Sequence, residues 1–268
     1  MELTIGYLQF EPVLGDANAN ADQLQMLTDN LHGVNLLVLP ELANSGYNFV
    51  NKQQAFACAE EITSSRFLKA LIGICQSKHL NIVTGFCERE ADVLYNSAVF
   101  IGPEGVKGLY RKVHLFLDEP NYFISGNLGF PVFEMGDVKI GMLVCFDWVF
   151  PEAWRILALK GADIVCHPSN LVLPYCQQAV PVHALCNRVF VVTANRIGTE
   201  GQITFTGKSI IASPNGSVLK SASPDAVEIS CVTIDLDLAR NKNITSRNHL
   251  FGSRRPECYG LLAESGLH

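Results

Sequence analysis

Apolar and polar residues alternate along this chain with two different periods. Leu3 to Phe10 alternates with period two, as a half-buried strand does. Leu24, Met26, Leu27 and Leu31 then recur at roughly helical spacing over residues 15–31, stopped by His32-Gly33. The run V-N-L-L-V-L (Val34 to Leu39) is nearly all apolar, as expected of a strand covered on both faces. A loop over 42–51 and helices over about 53–61 and 64–78 follow, with Phe67, Leu68, Leu71 and Ile72 on one side of the second. Leu80 to Phe86 reads as a strand, and Asn96–Ile101 with Val106–Arg111 form a hairpin around G-P-E-G. His114 to Gly129 is a loop rich in turn formers and aromatics.

In the second half, Pro131–Met135 and Val138–Val144 pair across Gly136-Asp137. Pro151 and Glu152 open a helical pattern that closes at Gly161, with proline just inside the start and glycine past the end. A strand over Asp163–His167, a helix over 175–187 and a strand over Val189–Asn195 come next. Further strands are predicted near 202–206, 208–213 and 227–235. Residues 243–268 show no core-facing period, so this C-terminal tail is expected to pack on the surface or on a partner subunit. With no internal repeat or linker, the chain reads as one domain over 1–268, with a β-rich core and paired helices outside.

Composition narrows the function classes. Hydrophobic residues make up 48% of the 268 and charged residues only 17%, which suggests a large core and some subunit interface. A net charge of −6 without a Lys/Arg cluster argues against nucleic acid or an anionic membrane as partner. No apolar run reaches the length of a membrane span, and no secretory signal precedes the first strand, so a cytoplasmic location is expected. Nine cysteines, an odd number without a C-x-x-C pair, point to reduced thiols. Eight of them read as small buried hydrophobes.

The ninth, Cys145, ends an apolar run and faces a helix start. The partial positive charge of helix amides lowers a thiol's pKa, which predicts a reactive thiolate there. Two more polar residues stand at strand ends, Glu41 after V-N-L-L-V-L and Lys112 after G-V-K-G-L-Y-R. If the ends of these strands share one rim, the three meet; taken alone, a surface charge at a strand end is the commoner reading of Glu41 and Lys112. His114, His167 and His183 leave a Cys–His dyad as an alternative, although nothing in their flanks supports it. No His/Asp/Glu pair sits at metal-ligand spacing on one face.

The segments L-P-E-L-A-N-S-G-Y, Y-R-K-V-H-L-F and C-F-D-W-V-F-P-E resemble, in order, the three signature segments of the nitrilase superfamily of carbon–nitrogen hydrolases. The likeness covers essentially the whole chain and is similar to small archaeal nitrilase- and amidase-like members. It implies an α/β fold, a four-layer αββα sandwich that dimerises into αββα–αββα as a homodimer or a higher homo-oligomer. It implies a small-molecule amide, carbamoyl or nitrile substrate and neither metal nor cofactor. Glu41 would be the general base, Cys145 the nucleophile and Lys112, with a backbone N–H after Cys145, the stabiliser of developing charge. Glu119 matches the second glutamate, which positions substrate, with Asp118 as its neighbouring alternative. Tyr47, Phe146, Trp148 and Asn170 would line the substrate pocket. The C-F-D-x-x-F-P-E form leans towards amidases and carbamoylases, with a nitrilase as the alternative and a non-catalytic scaffold as the reading of another class. Where relatives carry R-A-x-E-N, this chain has H-A-L-C-N, with His183 and Cys186, so bracing of that helix is expected to differ.

Overall fold

The structure, a computed structural model, describes residues 1–264. Two six-stranded sheets form its centre, in a mixed α/β fold. In the first sheet Glu2–Gln9 lies between Glu228–Asp235 and Leu36–Val38, followed by Asn81–Glu90, Val93–Gly102 and Gly105–Arg111. In the second, Val132–Met135, Val138–Met142, Ile164–Pro168, Phe190–Ala194, Ile210–Ala212 and Val218–Ser221 lie side by side. Alternation along each strand explains the layering. Ile5, Tyr7, Val38 and Phe100 from the first sheet share one core with Ile140, Met142 and Ile164 from the second. The opposite side chains of the first sheet, Leu8, Leu37 and Ile82, pack on helices Ala17–Thr28 and Arg66–Lys78. Helix Pro151–Leu159 covers the far face of the second sheet. There a Cβ on Gly141 would stand 3.0 Å from a Leu157 methyl, so a glycine lets helix and strand approach.

Strand direction puts the site at one rim. Leu36–Val38 is parallel to Asn81–Glu90, and two antiparallel steps bring Gly105–Arg111 back to the same direction. Glu41 and Lys112 thus both follow the carboxyl ends of strands pointing the same way. In the second sheet Val138–Met142, Ile164–Pro168 and Phe190–Ala194 are parallel, so Cys145 and Asn170 also follow carboxyl ends. Ligands in α/β sheets favour such ends, where loops diverge.

Several expectations need correction. Met26 is exposed, and the buried face of helix Ala17–Thr28 is carried by Asn20, Ala21, Leu24 and Thr28. Its predicted start at Gly15 fails because Gly15 has φ +78°, and Asp16 caps the helix through the Ala19 amide. Strand Val218–Ser221 is not predicted by the pattern, being an edge strand with little buried surface. Of the eight cysteines expected in the core, Cys186 and Cys258 are exposed and Cys58 and Cys231 half-buried. All nine thiols are unpaired. In the tail, residues 265–268 lie outside the described residues. The remainder holds a small hairpin, Asn243–Thr245 with Asn248–His249, and Phe251, which packs against the main core under the Arg155 guanidinium. Among the described residues no helix is long and apolar enough to cross a membrane.

Candidate active site

Lys112 is completely buried, and its ammonium stands 2.7 Å from Glu41 Oε1 and 2.7 Å from Glu119 Oε1. An ammonium in such a place must be paired, and two carboxylates pair it. Burial alone would pull its pKa down; the charges of Glu119 and Glu41 outweigh that and hold it above the ordinary range, so the group stays protonated. Glu119 is pushed up to about 7, first by burial and then by the Glu41 charge, against the pull of Lys112. It also accepts the Tyr47 hydroxyl at 3.1 Å and the Phe116 amide at 3.2 Å. Asp118, its neighbour, is exposed, so position 119 supplies the buried acid.

Glu41 is held asymmetrically. Its Oε1 accepts Lys112 and, at 2.7 Å, the Asn96 side-chain amide, while Oε2 is buried and has no partner. Asn96 also accepts the Lys112 backbone amide on its own carbonyl, at 2.8 Å, and so ties both residues to strand Val93–Gly102. Gly85 makes room for the Glu41 turn: a Cβ there would lie 2.2 Å from the Glu41 Cα. Neither residue stands out from the motifs. A polar Asn96 at a buried strand position and a glycine inside a strand are the signals that could have found them.

Cys145 does not face a helix mouth directly from a strand tip. The strand stops at Met142, and Cys145 opens a 3₁₀ turn, Cys145–Val149, ahead of helix Pro151–Leu159. Its φ is +43°, a left-handed conformation that strains a residue with a side chain. Asp147 secures the turn. Its carboxylate accepts the Val144 amide at 2.9 Å, the Tyr110 hydroxyl at 2.7 Å and the His114 amide at 3.2 Å, and pairs with His114 Nδ1 at 2.7 Å. The segment before Cys145 is thereby bolted to the segment around Lys112. The resting thiol pKa is also opposite to the sequence expectation. Burial pushes it well above the ordinary range, the Glu41 charge adds to this, and Lys112 offsets only part. The thiol therefore rests protonated.

Among the described residues, no histidine is hydrogen-bonded to the Cys145 thiol. His167 pairs through Nε2 with the Cys145 carbonyl at 2.8 Å and through Nδ1 with Thr193 at 3.0 Å. His114 is engaged with Asp147 and stacks 3.5 Å from the Phe150 ring, and His183 stacks on Trp154. The last contact occupies the helix that departs from R-A-x-E-N. Phe146, Trp148 and Asn170 line a cavity of about 40 Å³ with Cys145. Tyr47 is not among its lining residues; it turns to Glu119 instead. Two larger surface grooves, of about 790 and 740 Å³, contain none of these residues.

The sequence profile of the carbon–nitrogen hydrolase family matches residues 4–243. The chain belongs to that family. Among similar proteins, a nitrilase from Pyrococcus abyssi is 44% identical over 257 residues, covering 95% of this chain and 98% of the relative. An N-carbamoylputrescine amidase from Solanum lycopersicum is 30% identical, covering 97% and 94%. The crystal structure of a carbon–nitrogen hydrolase from Helicobacter pylori superposes with a TM-score of 0.87 at 26% identity, covering 99% of both chains. The family hydrolyses carbon–nitrogen bonds, and this member is an enzyme of that class.

Proposed function

We propose that the enzyme hydrolyses a small amide or carbamoyl amide through a cysteine acyl-enzyme. The observation that carries this reading is the unpaired, buried Glu41 Oε2 in a site whose ammonium and thiol share its electrostatics. A buried carboxylate oxygen without a hydrogen bond is costly to the fold, and one kept free in such a site is available to take a proton. Glu41 takes the Cys145 proton as the sulfur attacks the carbonyl carbon. A C–S bond forms and the carbonyl electrons move to oxygen, beside the Lys112 ammonium and a backbone N–H after Cys145. Collapse breaks the C–N bond, and Glu41 returns its proton to the departing nitrogen, which leaves as ammonia. Water then gives a proton to Glu41 and its oxygen to the thioester. The C–S bond breaks, the acid departs and the thiol is restored. Glu119 keeps Lys112 oriented and positions the substrate.

A nitrilase is the second reading, favoured by the Pyrococcus abyssi relative; there the thiol would add across the C≡N bond to give a thioimidate, a first water would add and ammonia leave to give the thioester, and a second water would release the acid. A scaffold without activity would have no need of three buried ionisable groups around a thiol. The chain would work as a homodimer in the reducing cytoplasm, since exposed Ile156, Leu159, Val182 and Leu185 give the outer helices an apolar face. Ammonia release from a panel of short amides, N-carbamoyl amines, ω-amides and nitriles tests the reaction. Turnover of amides that disappears in Cys145→Ala supports the amidase reading; turnover of nitriles alone would move the enzyme to the other branch.

A further inference from the structure

Asn170 is 2% exposed, yet neither its side-chain oxygen nor its side-chain nitrogen has a partner. A buried amide with both ends unpaired is rare in folded proteins and calls for a ligand that supplies both halves. Its position says which ligand. Strand Ile164–Pro168 delivers the P-S-N turn to the cavity, Asn195 fixes the following Leu171 amide at 2.8 Å, and Asn170 lines the same cavity as Cys145. Asn170 therefore stands next to whatever is attached to the carbon that the sulfur attacks. Among the described residues, the rest of the cavity wall is Phe116, Phe146, Trp148 and Leu171 to Leu173, without a charged side chain. Of the charged groups behind the thiol, Lys112 is paired with both glutamates and Glu119 accepts from Tyr47 and Phe116, while the unpaired Glu41 Oε2 is the oxygen that takes the thiol proton.

We propose that Asn170 makes this enzyme selective for uncharged, short acyl groups that carry one neutral hydrogen-bonding group near the reacting carbon. This rests on the hydrolase reading above and deepens it. A hydroxyl or a second carboxamide can accept from the Asn170 nitrogen and donate to its oxygen. An ammonium can only donate and a carboxylate can only accept, so each leaves half of the amide unpaired and brings an uncompensated charge into an apolar wall. Size points the same way. The cavity beside the thiol is about 40 Å³, only a few times the roughly 10–15 Å³ that one water-sized sphere takes, which favours short acyl groups.

Four nearly matched primary amides test this by the rate of ammonia release at pH 6.5: propionamide, lactamide, alaninamide and malonamate. Lactamide is expected to exceed propionamide in kcat/KM by about tenfold, the effect of pairing one buried polar group. Alaninamide and malonamate are expected to fall below lactamide by on the order of 10²-fold, the effect of an unpaired buried charge. In Asn170→Leu the ratio of lactamide to propionamide should drop towards one, and in Asn170→Asp alaninamide should gain on lactamide. Equal kcat/KM for charged and hydroxylated substrates in the unaltered enzyme, or a lactamide preference that survives Asn170→Leu, would overturn the inference while leaving the hydrolase reading intact. Absence of ammonia from every amide and nitrile tried would overturn both.

Discussion

At the scale of single residues, the site is a balance of two buried acids and one buried ammonium. Lys112→Met would leave Glu41 and Glu119 facing each other without a counter-charge. Loss of one partner from a buried pair costs about 3–5 kcal/mol, and loss of a charge-stabilising donor costs roughly 10²–10³ in rate. Urea unfolding and ammonia release should therefore both register the change, and a fully active, fully stable variant would contradict the assigned contacts. His167 yields a pH prediction. Burial lowers its pKa from the ordinary 6.5 to about 4, because the imidazole is enclosed and neutral while it holds the Cys145 carbonyl. A depressed folded-state pKa contributes stability above pH 6.5 that is lost as pH falls through 4. His167→Gln keeps a donor for the carbonyl but cannot titrate. Between pH 6.5 and 4, the unaltered protein should lose about 3 kcal/mol more unfolding free energy than this variant.

Elements, rather than side chains, bring these residues together, and glycine is where this can be tested. Gly85→Ala would drive a Cβ into the backbone at Pro40, Glu41 and Leu42, with no flexible side chain able to yield. We expect kcat to fall by more than tenfold and the melting temperature to drop by several degrees, about 1 kcal/mol or more of overpacking; unchanged kinetics would mean that the Glu41 turn tolerates displacement. The 42–51 loop is a second such case. The buried Glu200 carboxylate, paired with Arg196, accepts the Tyr47 and Asn48 amides at 2.9 and 2.7 Å, and so aims Tyr47 at Glu119. Sequence showed where most strands and helices lie because each has one face to bury. It could not show that Cys145 sits in a strained turn. Its conformation is imposed by Asp147, Tyr110 and His114, contacts that link positions 33–37 residues apart. Nor could it weigh burial against the helix field, which is why the thiol's direction of shift came out reversed.

For the whole molecule, Glu41, Lys112 and Cys145 are far apart in the chain, and no local pattern relates them. Strand direction at one shared rim does. The resemblance to the nitrilase superfamily therefore carried what periodicity could not, whereas the unpaired Asn170 amide becomes visible only in three dimensions. The outer helices carry the remaining whole-molecule prediction. If Ile156 and Leu185 cover a subunit interface, Ile156→Lys with Leu185→Glu should halve the mass seen by light scattering at micromolar concentration. An unchanged mass would place any dimer contact elsewhere. The central claim is that a protonated, buried thiol is made reactive by the acid beside it, and site-resolved alkylation tests this most directly. Iodoacetamide is itself a small neutral amide, and Cys186 and Cys258 are exposed controls within the same chain. Peptide mass mapping over time should show Cys145 modified faster than either control, with that advantage lost in Glu41→Gln; modification of Cys186 and Cys258 while Cys145 stays intact would contradict the account.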